Sequence, residues 1–246
     1  MNGVESFVSH NFSEHDSTFN SCLHLIVYGY SLLEQGRKYS RKDILELTST
    51  IRGKKTNKVE LEDFLRNDLI ENYIEPNRYL FGLNNLLFIS GAEEFSDNIK
   101  TGILDIKVTS PLWNGNTYFI FECKRLNKTI LDNYVTEGVS RFIKEGKYYP
   151  KFQNSVAGMI SFLEYVDIKH EIKSDEAFSA IGGVLQKYHD EINLTGSLLQ
   201  YKLECKSNKY IEEYQFIFKS THSRAQNVLP INIYHIVLDY NHVIFD

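Results

Sequence analysis

Residues 102–109 read Gly-Ile-Leu-Asp-Ile-Lys-Val-Thr, and residues 117–124 read Thr-Tyr-Phe-Ile-Phe-Glu-Cys-Lys. Both runs are short and rich in β-branched and aromatic side chains, and they flank Pro-Leu-Trp-Asn-Gly-Asn at 111–116. Asn-Gly between two such runs is the strongest short-range hairpin signal, because both residues accept the positive φ of a tight turn. The spacing predicts an antiparallel pair turning near Asn114-Gly115. Strand side chains alternate between faces, so Glu122 and Lys124 share one face, about 7 Å apart along the strand. Phe119, Phe121 and Cys123 take the other, which suits a core. Antiparallel pairing brings Asp105 alongside the 122–124 end of its neighbour. Two carboxylates and an ammonium are expected to converge on one face of one hairpin.

The flanking sequence supplies the rest of the fold. Residues 59–74 carry Leu61, Phe64, Leu65, Leu69, Ile70 and Tyr73 at helical spacing, with acidic residues on the remaining face, which is the pattern of an amphipathic helix. Residues 17–34 read as a second helix, and Ser40 followed by Lys42-Asp43 starts a third that runs to about 51. Residues 78–90 are expected to supply a strand or two. Residues 131–144 place Tyr134, Val135, Gly138, Val139, Phe142 and Ile143 on one helical face. The run 155–163 is compatible with a buried strand or a helix, since periodicity alone does not decide. Residues 175–191 read as a helix, and 210–219 and 231–239 as strands. This order predicts an α/β fold, a central mixed β-sheet flanked by helices, with a helical N-terminal part over 1–58 and the α/β domain over 59–246.

Composition narrows the class. The 246 residues suggest one large domain, or one domain with an appendage, and 42% hydrophobic content is ample for a sizeable core. A net charge of -5 argues against a protein that coats nucleic acid by bulk electrostatics, while leaving room for a local basic patch. The basic loop at 52–58 has two readings: solvated surface, or phosphate contact through Lys54 and Lys55. Cys22, Cys123 and Cys205 are odd in number and form no CxxC pair, which excludes a disulfide framework and a thiolate zinc site and suggests reduced thiols in the cytoplasm. The first residues lack a basic segment followed by an apolar one, and no apolar run is long enough for a bilayer, so a soluble intracellular protein is expected. No histidine pair has peptidase spacing and no glycine-rich phosphate loop is present. His222 and Arg224 read as a polar loop after a strand or as substrate contacts, and His235 reads as a satisfied core histidine.

The convergence at the hairpin has a chemical consequence. Two close carboxylates repel, and one takes up a proton unless a counter-charge is present. A divalent ion with oxygen ligands, Mg²⁺ or Mn²⁺, relieves that repulsion. It would also activate a coordinated water and offset charge on a phosphate, with Lys124 orienting the water or stabilising the developing negative charge.

Ile-Leu-Asp-Ile at 103–106, followed by a turn and Tyr-Phe-Ile-Phe-Glu-Cys-Lys at 118–124, resembles the motif of the PD-(D/E)XK nuclease superfamily. Asp105, Glu122 and Lys124 match it position by position, although Leu104 holds the place of the Pro that precedes the first acid. The resemblance covers about 59–163. It implies a restriction-endonuclease-like sheet, a metal held by Asp105, Glu122 and the Cys123 backbone carbonyl, and a further Glu from the preceding helix. Glu60, Glu62 and Glu71 are the candidates there, Glu60 or Glu62 preferred. It also implies that Arg125, Arg141 and Lys147 touch the phosphates, the alternative for Arg141 and Lys147 being solvated charge. The pattern downstream of the motif resembles small bacterial restriction and anti-phage defence members. The expected function is Mg²⁺-dependent cleavage of DNA rather than RNA, under control of a partner protein, a signal or self-assembly, because free cutting harms a host. The alternatives are a repair or recombination nuclease, and a non-catalytic nucleic-acid-binding or assembly module.

Overall fold

The computed structural model describes residues 3–36, 38–44, 61–96, 99–113, 117–143, 154–165, 168–203, 214–224 and 229–245. A long helix α1 (Gly3–Gly36) opens the chain, and a two-residue strand β1 (Tyr39–Ser40) follows. The Ser40 hydroxyl accepts the Asp43 amide at 3.3 Å, capping the helical turn at 41–44. Helix α2 (Leu61–Leu69) runs on through a π turn (Ile70–Ile74) into a 3₁₀ stretch (Glu75–Phe81) started by Pro76. The expectation of strands from 78 is corrected here: the helical path continues to Phe81, and a single strand β2 (Leu87–Ser96) follows. The Glu75 carboxylate accepts the Phe88 amide at 3.0 Å and so fixes where that strand begins.

The remaining strands are β3 (Ile99–Thr109), β4 (Phe119–Leu126), β5 (Val156–Leu163), β6 (Leu199–Gln200), β7 (Ile217–His222), β8 (Ile231–Asp239) and β9 (Ile244–Phe245). Among the described residues, β2 and six of these form one mixed sheet in the order β2-β3-β4-β5-β8-β7-β6. The β2–β3, β3–β4, β7–β8 and β6–β7 pairs are antiparallel, and β4–β5 and β5–β8 are parallel. The run at 155–163 resolves as the central strand β5, buried along its whole length, as a strand covered on both faces should be. Of the strand expected over 210–219, only the part from Ile217 is a strand among the described residues. A second, two-stranded sheet pairs β1 with β9 in parallel.

Helices cover both faces. On one, α1 and α2 pack Phe19, Leu23, Ile26, Leu65 and Leu69 against Phe119, Phe121, Cys123 and Ile236. The Phe19 ring stacks on Phe121 at 5.2 Å, so α1 shares the core of the sheet. On the other, α4 (Ala177–Lys187) and the helical segment 131–142 pack against Ile120, Met159 and Ile233. That segment is not one regular helix: α3 (Leu131–Asn133) passes into a π turn (Tyr134–Gly138) and then a 3₁₀ turn (Val139–Phe142). Gly138 lies so close to the sheet that a Cβ there would stand 2.6 Å from Met159 Cε and 3.4 Å from Lys124 Cγ. The absent side chain lets the segment settle over β4 and β5, which brings Arg141 within reach of Glu122. Among the described residues no helix is long and apolar enough to cross a membrane.

Candidate active site

The β3–β4 ladder runs Val108↔Phe119, Lys107↔Ile120 and Ile106↔Phe121, and Asp105 lies one residue beyond it. The ladder to β2 is interrupted at the same place, between Ser90↔Ile106 and Ala92↔Leu104, where Gly91 has φ +60°. A regular strand places residues two apart on one face. Here Ile106 belongs to the α1-side core and Leu104 to the opposite one, so the strand turns over at Asp105. The expected approach of Asp105 to the end of β4 holds. Its Oδ2 accepts the Cys123 amide at 2.8 Å, where a regular ladder would offer a backbone carbonyl.

Four residues direct oxygens at one point. The Lys124 Nζ donates to the Cys123 carbonyl at 2.8 Å and to Glu62 Oε1 at 3.1 Å. It lies 3.2 Å from Glu122 Oε1 and 3.7 Å from Asp105 Oδ2. Glu62, on the first turn of α2, also accepts the Arg125 amide through Oε2 at 2.9 Å, which clamps α2 to β4. Each carboxylate has a cationic partner. Arg66 Nη1 donates to Asp105 Oδ1 at 3.0 Å and also meets Asp63, while Arg141 Nη1 donates to Glu122 Oε1. Three carboxylates (Glu62, Asp105, Glu122) face three cations (Arg66, Lys124, Arg141).

Burial sharpens the electrostatics. It raises the Glu62 carboxyl above its ordinary value, and Lys124 beside it offsets only part of that rise. Burial alone would lower the Lys124 ammonium, but Glu122, Asp105 and Glu62 outweigh it and hold the group above its usual value, fully protonated at neutral pH. Burial, reinforced by Asp105, holds the Cys123 thiol far above its ordinary value, so it is neutral and inert.

Glu62, Arg66, Asp105, Lys124 and Arg141 line an open cleft of about 570 Å³ together with Gly91, Asn133 and Glu137, while Glu122 lies fully buried behind Lys124 and Arg141. Asn133, Glu137 and Arg141 recur every four residues, so one side of the 131–142 segment forms a wall. Of the residues singled out in the sequence, Asp105, Glu122, Lys124, Cys123 and Glu62 come together. Glu71 is exposed, and Arg125 and Arg141 line the cleft. Both arginines differ from the expectation in one respect: each is held by a carboxylate, Arg141 by Glu122 and Arg125 by Glu164, through Nε at 2.8 Å and Nη2 at 2.5 Å. Glu60, Lys54, Lys55, Lys147 and the turn at Asn114-Gly115 lie outside the described residues.

Sequence reading missed Arg66, although its place four residues after Glu62 on an amphipathic helix was a usable signal. His222 is corrected as well. It is buried at the end of β7, hydrogen-bonded through Ser220 to His235, which in turn meets the Tyr134 hydroxyl at 2.6 Å. His235 is the satisfied core histidine its strand suggested.

The donor set is all oxygen, which suits a hard divalent cation. The spacing around the shared point is that of hydrogen bonds to an ammonium. Among the described residues no three carboxylate, imidazole or thiolate groups stand at metal-ligand spacing. Comparison with known proteins adds no relative: no family model, no curated protein and no solved structure matches the chain.

Proposed function

We propose that this chain is a divalent-metal-dependent nuclease that hydrolyses phosphodiester bonds, in DNA before RNA, and that its sheet is of the restriction-endonuclease-like kind. One observation carries the reading: oxygens of Glu62, Asp105, Glu122 and the Cys123 carbonyl converge on a single cation position, now taken by Lys124. Asp105, Glu122 and the Cys123 carbonyl would hold Mg²⁺ or Mn²⁺, with Glu62 as a further ligand. When bound, the ion supplies Lewis acidity and a coordinated water of lowered pKa.

The chain's own groups do the rest. An ammonium and a divalent ion repel, so a bound ion would displace Lys124 from this point, and Lys124 would then turn toward the cleft. Its raised pKa makes it a charged hydrogen-bond donor to a phosphate oxygen rather than a base. Arg66 and Arg141 keep Asp105 and Glu122 oriented. Hydrolysis adds water to phosphorus and breaks one P–O ester bond, the departing oxygen taking a proton. A host is spared if activity waits on a partner, a signal or assembly, and a defence role fits that need.

The complete internal pairing of the carboxylates favours a second reading, a nucleic-acid-binding or assembly module whose charge cluster is structural. One experiment separates the two. Plasmid DNA and RNA are incubated with the protein in Mg²⁺, Mn²⁺ or EDTA, beside Asp105→Asn and Lys124→Met. Metal-dependent cutting abolished by both substitutions supports the nuclease. Cutting that survives both sinks the site assignment. A silent wild type that also binds no Mn²⁺ leaves the structural reading.

A further inference from the structure

Beneath the cleft wall, side chains from β5, β7, β8 and the π turn form one unbroken line of hydrogen bonds. The Ser161 hydroxyl on β5 lies 3.2 Å from the Tyr134 hydroxyl, which lies 2.6 Å from His235 Nδ1 on β8. His235 Nε2 is 2.8 Å from the Ser220 hydroxyl on β7, and that hydroxyl is 2.7 Å from His222 Nε2. The line ends at the Ile192 carbonyl, 2.8 Å from His222 Nδ1. All of these side chains are buried, Tyr134, Ser161 and both histidines completely.

The last link fixes the direction of every other. A carbonyl oxygen only accepts, so His222 carries its proton on Nδ1 and donates it to Ile192. Burial holds both imidazoles well below their ordinary value, so each is neutral and bears one ring proton. His222 Nε2 is therefore an acceptor, and the Ser220 hydroxyl donates to it. With its single proton so directed, Ser220 accepts from His235 Nε2. His235 Nδ1 then accepts from Tyr134, whose oxygen accepts from Ser161. Each donor points the same way across the sheet, from β5 toward the stretch after α4. Reversing an inner link sets two donors or two acceptors face to face, where an unmade buried bond is costly.

The cleft wall is a segment that such a line can hold in place. It passes from α3 through a π turn to a 3₁₀ turn, so no single run of α-helical bonds stiffens it. Tyr134 begins the π turn, and Asn133, Glu137 and Arg141 face the cleft from the same segment. The Tyr134 hydroxyl ties that turn to β5 and β8 at once.

We infer that this line of hydrogen bonds is a one-way latch that seats the cleft wall, its direction set at the Ile192 carbonyl, with Tyr134 as the residue that positions Glu137 and Arg141. The inference goes beyond the nuclease reading and stands whether or not the cleft cuts nucleic acid. β7 lies three places from β4 in the sheet, so displacing the Ile192 carbonyl loosens the wall from well outside the cleft. Ile192 itself is buried, but Glu191 and Asn193 on either side of it are exposed.

The test is nuclear magnetic resonance of the whole chain with ¹⁵N-labelled histidine, which reads the protonated ring nitrogen directly. At pH 7 His222 should carry its proton on Nδ1 and His235 on Nε2. The opposite tautomer at either ring overturns the inference, and this measurement needs no variant. Ser220→Ala cuts the line between the two histidines. His222 should keep its proton on Nδ1, whereas His235, no longer directed from Ile192, should populate both tautomers. A His235 that stays wholly in the Nε2–H form takes its direction from elsewhere and refutes the one-way latch. Tyr134→Phe keeps the ring and removes the hydroxyl. Amide hydrogen exchange over 134–142 should quicken about ten-fold, as for loss of one buried hydrogen bond, while the amides of α4 keep their rates. Exchange that is unchanged over 134–142, or quickened equally in α4, shows that the hydroxyl does not seat the wall.

Discussion

Asp105 and Cys123 are joined by one hydrogen bond, carboxylate Oδ2 to amide N–H at 2.8 Å, immediately beyond the last β3–β4 ladder pair. The same carboxylate that faces the cleft therefore also completes the sheet. Asp105→Ala removes both roles, leaving a buried amide unmade and Arg66 without its partner on β3, a cost of about 3 kcal/mol. Asp105→Asn keeps an oxygen for the amide and should cost about 1 kcal/mol. On the nuclease reading both should lose cleavage by roughly a hundred-fold or more. Urea unfolding beside a cleavage assay checks this, and an Asn variant that cuts normally would refute the metal role of Asp105.

Glu62 should trade stability for function. Its carboxyl is raised by burial, so the folded state holds that proton more readily than the unfolded chain. Such a group favours the folded state below its unfolded value and loses that contribution as pH rises through the raised one. Once ionised, Glu62 is a net cost to the folded state. Glu62→Gln is expected to melt no lower than wild type in EDTA at pH 7, and to cut poorly. A clear drop in melting temperature would show that the Lys124 and Arg125 contacts outweigh desolvation.

The buried histidines should govern acid sensitivity. Burial pushes His222 down to about 4 and His235 down to about 3. The unfolded chain takes up protons near pH 6.5 while the folded chain refuses them, so stability is full above that value and falls as pH drops toward 4 and 3. The slope reaches about 1.4 kcal/mol per pH unit for each histidine. Urea midpoints measured from pH 7 to 4.5 should fall, and His222→Gln should flatten part of the fall. A flat wild-type profile would contradict the assignment.

Gly91 lies opposite Asp105 with φ +60°, and a Cβ there would meet open space. Gly91→Ala therefore tests backbone conformation with little steric complication, and should cost about 1–2 kcal/mol. Because the strand turns over at Asp105, the larger effect is expected on cleavage. Unchanged cleavage at reduced stability would show that the turnover of β3 does not position the carboxylate.

The local parts of this fold were legible because local signals determine them. The hairpin strands, the Ser40 cap, the amphipathic α2 and the strand at 231–239 all follow from periodicity and turn chemistry. The insertion of β8 between β5 and β7 was not legible, since long-range pairing is chosen by packing that no window of sequence contains. His222 read as part of a polar loop because its polar neighbours were taken as exposed, yet it and Ser220 are buried. They are buried because His235 and the Ile192 carbonyl supply their hydrogen bonds. Glu122 and Lys124 were placed correctly by alternation. That Arg141 and Arg125 would each be tied to a carboxylate was hidden, because such a charge reads as solvated until the element it faces is known.

The position of β8 also bears on when this molecule becomes competent. The β5–β8 ladder joins Val156 to Asn232, and the β1–β9 pair joins positions roughly two hundred residues apart. Such high contact order makes closure late and slow relative to the formation of helices and hairpins. A nascent chain can form the β3–β4 hairpin early, yet it lacks the partner of β5 and the β1–β9 pairing until 231–245 have left the ribosome. On the nuclease reading proposed above, in which premature activity would injure the cell that makes the protein, the order of synthesis is itself a safeguard.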